Sequence, residues 1–419
     1  MKRFELVIVG GGLAAARAIE EYRAAGGDGR IALLSKEWTL PYHRPPLSKR
    51  YLRGEAERQD TLVQPQEFYD LNDVEVLLGT EATGLDPREQ AVTTRDGGRY
   101  RYGALLLATG STPRRLPVEG ADLPGVFTLR SLEDSSAIRE AAAHARDAVV
   151  VGSGFIGMEV AASLTELGLD VTLVSLDVDL FAQLRSPEIS EHLVDLYRHR
   201  GVDVIRGEGV RAFRGRSRLD AVEVHSGEPI AADLAVIGVG VRPAVGFLEG
   251  SGIALDDGVV VDHRFETNVP GVYAVGDIAR FVDPLFERSR RIEHWSNADY
   301  QGRQAGRILA HAGGSYDTVS TFFTESFGLS LKVFGDVSEH DERISRGAFA
   351  AGDAIVFYLD RGRLVGTLQT GQDEETEEAL KDLIHAHAEP RAIPLLADEN
   401  VPTDSAFAAP IAVTTGGRT

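Results

Sequence analysis

Residues 148–161, AVVVGSGFIGMEVA, decide how the rest of the chain is read. The valines at 149–151 form a β-branched run suited to a buried parallel strand. The run enters Gly152-x-Gly154-x-x-Gly157 directly, and an apolar helical pattern follows over 158–168. Strand, glycine turn and helix in that order predict a dinucleotide cradle. The first glycine permits the tight turn, the second admits a pyrophosphate to the backbone, and the third lets helix and strand approach. The unpaired N–H groups at the helix start then face the phosphates.

A second unit of the same kind opens the chain. Residues 4–18, FELVIVGGGLAAARA, carry Gly10-x-Gly12-x-x-Ala15, and the helix is expected to run to about Ala25. A strand at 31–34 follows, and Glu37 just beyond it is the candidate for holding a ribose. In the 148–161 unit the next strand covers 171–174. Its ribose position falls on Ser175, with the acid Asp177 two residues further on. The predicted class is therefore α/β, with two Rossmann-like nucleotide-binding domains. A C-terminal α+β domain would follow, with strands near 331–334, 354–359 and 364–369 and an acidic helix over 374–387. The expected divisions are 1–112, 113–246, 247–320 and 321–419. The tail from Ala406 to Thr419 reads as loosely ordered.

Composition narrows the chemistry. The chain has 419 residues and a formal net charge of −20, which argues against nucleic acid and anionic membrane as partners. It has no cysteine, which excludes a thiol–disulfide relay or a cysteine-ligated cluster in this chain. No apolar run is long enough to span a bilayer, and a cytoplasmic location is expected. No His or carboxylate grouping has metal-ligand spacing, so no metal is expected.

Between and after the two units lie further motifs: Pro41-Tyr42-His43-Arg44-Pro45-Pro46-Leu47-Ser48-Lys49, Ala108-Thr109-Gly110, Glu159 within the second helix, Thr267-x-x-Pro270-x-x-Tyr273-Ala274-Val275-Gly276-Asp277, and His294-Trp295-Ser296-Asn297-Ala298. Taken together they resemble the FAD-dependent pyridine-nucleotide-disulfide oxidoreductase superfamily without its redox cysteines. More narrowly, they are similar to the ferredoxin reductases of bacterial oxygenase systems. The resemblance covers nearly the whole chain. It implies an FAD domain made of 1–112 and 247–320 with an NAD(P)H domain inserted at 113–246.

The resemblance also implies site residues. Gly10, Gly12, Leu13, Ala14, Lys36, Glu37, Arg44, Lys49, Ala82, Thr109, Gly110, Arg130, Asp277 and Trp295 would contact FAD. Gly152, Gly154, Phe155, Ile156, Gly157, Glu159, Ser175 and Gly240 would contact NADH, with NADPH possible. Lys49 and Glu159 would form the catalytic pair at the hydride-transfer junction, although a solvated helix carboxylate is the plain alternative for Glu159. His43 and His294 are read as packing residues, because hydride transfer to a flavin needs no acid–base group. Phe322 and Phe323 are read either as core or as part of an aromatic cluster facing the flavin.

Three functions fit. The first is an NAD(P)H-dependent ferredoxin reductase, a monomer or homodimer, passing single electrons to an iron–sulfur ferredoxin that serves a P450 or ring-hydroxylating oxygenase. Its dock would use Arg44, Arg50, Arg53, Arg288, Arg290 and Arg291. The second is an NADH oxidase or diaphorase with a quinone or other small acceptor. The third is an NADH-sensing interaction protein, as a more distant resemblance to the apoptosis-inducing factor family suggests.

Overall fold

The computed structural model describes residues 2–408. The chain begins with β1 (Lys2–Val9), the helix α1 (Leu13–Ala24) and β2 (Ile31–Leu34). It continues through α2 (Gln66–Leu71), β3 (Val74–Leu77), β4 (Ala82–Asp86), β5 (Ala91–Thr94) and β6 (Arg99–Leu107). These strands form a sheet in the order β3-β2-β1-β6-β5-β4, and a later strand, Val272–Ala274, adds parallel to β6. Every residue of β2 is buried, as a central parallel strand requires.

The short strand β7 (Ser111–Pro113) leads out of this sheet. Then come β8 (Val126–Thr128), α3 (Leu132–Ala142), β9 (Asp147–Val151), α4 (Phe155–Glu166) and β10 (Asp170–Ser175). After α5 (Pro187–His199) come β11 (Asp203–Arg206), β12 (Val210–Arg214), β13 (Ala221–Val224), β14 (Ile230–Ala231), β15 (Leu234–Ile237) and β16 (Val241–Pro243). A second sheet, all parallel, has the order β11-β10-β9-β15-β8. The strands β7 and β16 pair antiparallel with each other. Helix α3 starts on a capping box in which Ser131 and Asp134 bond each other's backbone N–H.

The two sheets repeat one construction. Gly10 N–H donates to Leu34 O at 2.8 Å, and Gly152 N–H donates to Val174 O at 2.8 Å. Ala108 N–H donates to Val9 O at 2.8 Å, and Gly238 N–H donates to Val151 O at 2.7 Å. Both leading glycines need their freedom. Gly10 has φ 118° and a Cβ there would lie 2.1 Å from Ala108 O, while Gly152 has φ 107° and its Cβ would lie 2.5 Å from Gly238 O. At Gly157 a Cβ would fall 1.9 Å from Gly152 O, so the third glycine is required for helix and loop to meet.

Helix α6 (Trp295–Leu309) packs across α1 through small residues. A Cβ on Gly302 would lie 2.5 Å from Ala14 O, and one on Gly306 2.5 Å from Ala18 O. The alanines of α1 and the paired glycines of α6 thus bring two backbones together beneath the first glycine loop.

Two compact units result. The first holds the chain up to Asp177 and Tyr197–Asp317. The second holds Val178–Leu196 with the chain from Thr318 onward. It is built on a five-stranded antiparallel sheet and the helix α7 (Glu374–His385), which Asp373 caps. Val178–Leu196 joins this second unit because Tyr358 Oη donates to Leu184 O at 2.5 Å and Arg343 bonds both Arg185 O and Glu188.

Lys49 is the C-cap of the one-turn 3-10 segment Pro45–Ser48. One sequence expectation changes locally. Ala406 and Phe407 are buried, and Phe407 bridges to Pro390, so the tail is packed at least that far. The rest of the tail, from residue 409, lies outside the described residues.

Candidate functional site

At the first glycine loop, Gly12 is the N-cap of α1 and no side chain caps that helix. A Cβ on Gly12 would meet nothing within 4 Å, so its outer face is open. Beside the loop, Arg44 donates to Glu37 Oε1 at 2.8 Å and to Tyr42 Oη at 3.0 Å, and also bonds Arg130 O. Tyr42 Oη donates to Glu37 and accepts from Leu132 N–H at 3.3 Å. Burial pushes the Glu37 carboxyl up, but Arg44 and Tyr42 more than offset it and hold the group below the ordinary carboxylate range.

Asp277 sits in the 3-10 turn Gly276–Ile278, directly beyond the strand Val272–Ala274. Its Oδ2 accepts from Ser111 Oγ at 2.7 Å and from Arg130 Nη2 at 2.9 Å. Burial raises this carboxyl, yet the Arg130 charge and the two hydrogen bonds leave it below its usual value. Arg130 is lowered by burial and then by the nearby Arg44 guanidinium. Two cations are therefore drawn together at the mouth of an uncapped helix, which is the charge arrangement a pyrophosphate neutralises.

The same cradle contains an orphaned donor. Gln301 Oε1 accepts from Gly276 N–H at 2.8 Å, while Gln301 Nε2 is buried without a partner. An open glycine face, an uncapped helix, two converging guanidiniums and an unsatisfied buried amide all fit the phosphate-bearing half of FAD. Thr109 is held to Ala244 O at 2.9 Å, and Gly110 packs beside the Arg130 guanidinium. Trp295 Nε1 donates to His43 Nδ1 at 3.1 Å. Burial and the Arg17 charge keep His43 below its ordinary pKa, consistent with an accepting, neutral ring.

A buried ion pair joins the turn after Pro45-Pro46 to the helix α4. Lys49 Nζ lies 2.6 Å from Glu159 Oε1, with the side chains 17% and 6% exposed. Ser48 Oγ donates to the other carboxylate oxygen, and Ser163 Oγ donates to Ser48 O at 2.6 Å. Arg53 extends the seam to Glu166 at 3.0 Å. Glu159 is thus no solvated helix carboxylate.

At the second glycine loop, Gly154 caps α4 without a side-chain bond. Phe155 meets His294 edge to face, and Ile156 is exposed. Burial, then the Arg290 charge, push His294 down to about 4. Gly240 has φ 92° and immediately precedes β16.

Several expected residues are placed differently. Ser175 is buried, its Oγ 2.7 Å from Ser153 Oγ and donating to Asp177 O at 3.0 Å. It is bonded beneath the glycine loop. Lys36 is 72% exposed and pairs with Glu81, not with the Glu37 network. Ala82 begins the edge strand β4 and is partly buried. Phe323 is exposed on its strand, so it is not plain core.

Four of the six arginines expected to form the dock are tied to carboxylates of this chain. Arg44 is committed to Glu37, Arg53 to Glu55 and Glu166, Arg290 to Asp283, and Arg291 to Asp257, Glu293 and Asp277 O. Among the described residues no group of three or more His, Asp or Glu has metal-binding geometry, and no helix is long and apolar enough to cross a membrane.

Sequence reasoning missed Ser48, Tyr42, Ser111 and Gln301. The first two lie inside the PYHRPPLSK motif and were legible there; Ser111 directly follows Ala-Thr-Gly.

The model of the pyridine nucleotide-disulphide oxidoreductase family matches residues 4–302, and a reductase C-terminal domain model matches 321–407. The chain is 36% identical to the ferredoxin reductase subunit of 5,5'-dehydrodivanillate O-demethylase from Sphingobium sp., over 87% of this chain and 89% of that protein. It is 35% identical to the ferredoxin–NAD(+) reductase subunit of the benzene 1,2-dioxygenase system of Pseudomonas putida, over 86% and 87% respectively. The fold superposes on putidaredoxin reductase in its covalent complex with putidaredoxin with a TM-score of 0.91, at 32% identity, covering 96% of this chain and 97% of that one.

Proposed function

Because the chain belongs to the pyridine nucleotide-disulphide oxidoreductase family, we propose that it is an NADH-dependent ferredoxin reductase. It would draw hydride from NADH through FAD and deliver electrons to an iron–sulfur ferredoxin that serves a P450 or ring-hydroxylating oxygenase. The observation that carries this reading is the Lys49–Glu159 pair at 2.6 Å, which links the turn after Pro45-Pro46 to the helix behind the second glycine loop. Relatives named as reductases of ferredoxin systems support the acceptor.

Bound FAD would supply the ability to take a hydride and release its electrons one at a time. The chain's residues do the rest. The first-turn N–H groups of α1 with Arg44 and Arg130 bind and neutralise the pyrophosphate, and Asp277, fixed by Ser111, orients Arg130 toward it. Glu37 binds the adenosine ribose. Gly152, Gly154 and Gly157 admit the nicotinamide dinucleotide, and Gly240 gives it room. Lys49 keeps a positive charge near the redox centre, Glu159 holds that charge in place, and Ser48 fixes Glu159. No cysteine is present to divert electrons to a disulfide.

We assign the two nucleotide domains to 1–112 with 247–320 and to 113–246, followed by a C-terminal domain. Arg50, exposed beside Lys49, is the residue of the arginine set best placed for docking. The protein would work in the cytoplasm as a monomer or homodimer. The test is to reduce purified flavoprotein with NADH and assay cytochrome c reduction with and without [2Fe–2S] ferredoxins. Strong ferredoxin stimulation is expected. Turnover with quinone and none with any ferredoxin would replace this reading by the diaphorase one. A long-lived reduced complex that dimerises without turnover would replace it by the sensor.

A further inference from the structure

The loop that carries Lys49 belongs to the first nucleotide unit by sequence, yet helices of the second unit hold it. Residues 44–60 leave and return at one place. There Tyr42 bridges to Leu62, His43 N–H donates to Thr61 O at 2.7 Å, and Val63 N–H donates to Pro41 O at 2.9 Å. From that neck the loop reaches α3 and α4. Ser135 Oγ of α3 donates to Leu47 O at 2.7 Å, and Ser163 Oγ of α4 donates to Ser48 O at 2.6 Å. Further along, Tyr51 Oη lies 2.9 Å from Ser136 Oγ, and Arg139 Nη1 donates to Tyr51 O at 3.3 Å. Ser48, Ser135 and Ser163 are all buried.

A hydroxyl inside a helix can bond the carbonyl four residues back. Ser136 does so with Leu132 O and Thr165 with Ala161 O, both at 2.8 Å. Ser135 and Ser163 instead send their hydroxyls out of the helix to two consecutive peptide groups, the second of which joins Ser48 to Lys49. Glu159 and Ser163 are four residues apart and share one face of α4. That face holds Lys49 at both ends. Glu159 takes the ammonium at 2.6 Å, and Ser163 takes the peptide from which the side chain starts. A four-carbon stem has too much rotamer freedom for an ion pair at its tip to fix the charge alone.

From this arrangement we propose that Ser135 and Ser163 are positioning residues for the Lys49 charge, so that Lys49 is carried by the second nucleotide unit and not by the first, to which its sequence belongs. The inference rests on the role given to Lys49 in the function proposed above. Each serine acts through a backbone carbonyl of the loop, and the charge so fixed favours the reduced, partly anionic state of a bound flavin.

The test is the midpoint potential of the flavin in the holoenzyme, together with the rate of its reduction by NADH in stopped flow. Ser135→Ala/Ser163→Ala is made in the wild type and in Lys49→Met, with Ser163→Ala alone as a second variant should the pair fold poorly. Thr165→Ala is the control for a hydroxyl kept within its own helix. In the wild-type background the serine pair is expected to slow reduction about tenfold and to shift the two-electron equilibrium about tenfold toward oxidised flavin, about 30 mV. In the Lys49→Met background the same changes should move neither quantity, and Thr165→Ala should match the wild type. Equal effects of the serine changes in both backgrounds overturn the proposal, because the serines would then act on packing and not through Lys49. Wild-type rate and potential in the serine variants overturn it too, as does an equal effect in Thr165→Ala. A Lys49→Met holoenzyme with wild-type rate and potential overturns the underlying role of Lys49, so the two failures are distinguishable.

Discussion

Replacing Glu159 with alanine removes the counter-charge from Lys49 and leaves the Ser48 hydroxyl without its acceptor. Breaking a buried pair by deleting one member costs about 3–5 kcal/mol. Lys49 retains some solvent access, so the lower end, about 3 kcal/mol, is expected. Lys49→Met should cost a similar amount, because it strands a carboxylate that is 6% exposed. The double variant Lys49→Met/Glu159→Leu buries no charge and should regain at least half of the loss. Urea unfolding of the holoenzyme, assembled into a double-mutant cycle, gives the coupling directly. Function should separate from stability in that cycle. All three variants should slow NADH-driven flavin bleaching in stopped flow by about 10- to 100-fold, or about 1.4–2.8 kcal/mol of barrier. Wild-type bleaching rates in both single variants would refute the catalytic reasoning. A coupling energy below about 0.5 kcal/mol would refute the energetic reasoning.

Other expectations follow from the same geometry. Gly306→Val puts a side chain where even a Cβ lies 2.5 Å from Ala18 O, and should destabilise the holoenzyme by about 3 kcal/mol, read as a lower urea midpoint. Arg130→Met leaves Asp277 buried beside Ser111 without its cation; the purified protein should carry less FAD per chain, measured by the ratio of flavin to protein absorbance. The folded state keeps His294 neutral down to about pH 4, whereas the unfolded chain protonates it near 6.5, so stability should fall as pH drops from about 6.5 toward 4. Glu37 and Asp277, whose folded values are depressed, stabilise above about pH 4 and lose that contribution as pH falls through their folded values. Urea midpoints across pH should show a flatter slope above pH 4 in His294→Gln.

The glycine loops and the flanking strands were legible because each is carried by local residue type. A strand that must be buried is β-branched, and a turn that admits a phosphate has no Cβ. Lys49 and Glu159 became visible as partners only through family likeness, since 110 positions separate them and no local pattern links them. The α1–α6 crossing was written in Ala14, Ala18, Gly302 and Gly306, but small residues signal close approach without naming the partner. The surroundings of Ser175 and Lys36 were not legible: Ser175 bonds Ser153 beneath the loop, and Lys36 pairs with Glu81. A strand-end position was expected to face the ligand, and only the folded structure shows that the Ser175 hydroxyl turns inward. The pairing of Arg44, Arg53, Arg290 and Arg291 was not legible, because charge read along a sequence omits the carboxylates that folding brings to it. The same holds for Arg346, which lies buried against the carbonyls of Leu395, Leu396 and Val401 with no local hint in sequence.

The antiparallel pairing of β7 with β16 has a consequence for how such a chain could have been assembled. Pro113 faces Val241 and Ser111 faces Pro243, and Arg114 N–H closes on Gly240 O at 2.9 Å. Everything between these strands therefore leaves and returns at one place, its two ends side by side. A segment with adjacent ends can be inserted into a host, removed or exchanged without lengthening any loop. The second nucleotide unit is thus a cassette. Grafting the corresponding segment of an NADPH-using relative between Pro113 and Val241 should change the electron donor if the incoming segment keeps Arg130 and Glu159, which this cassette lends to the flavin cradle.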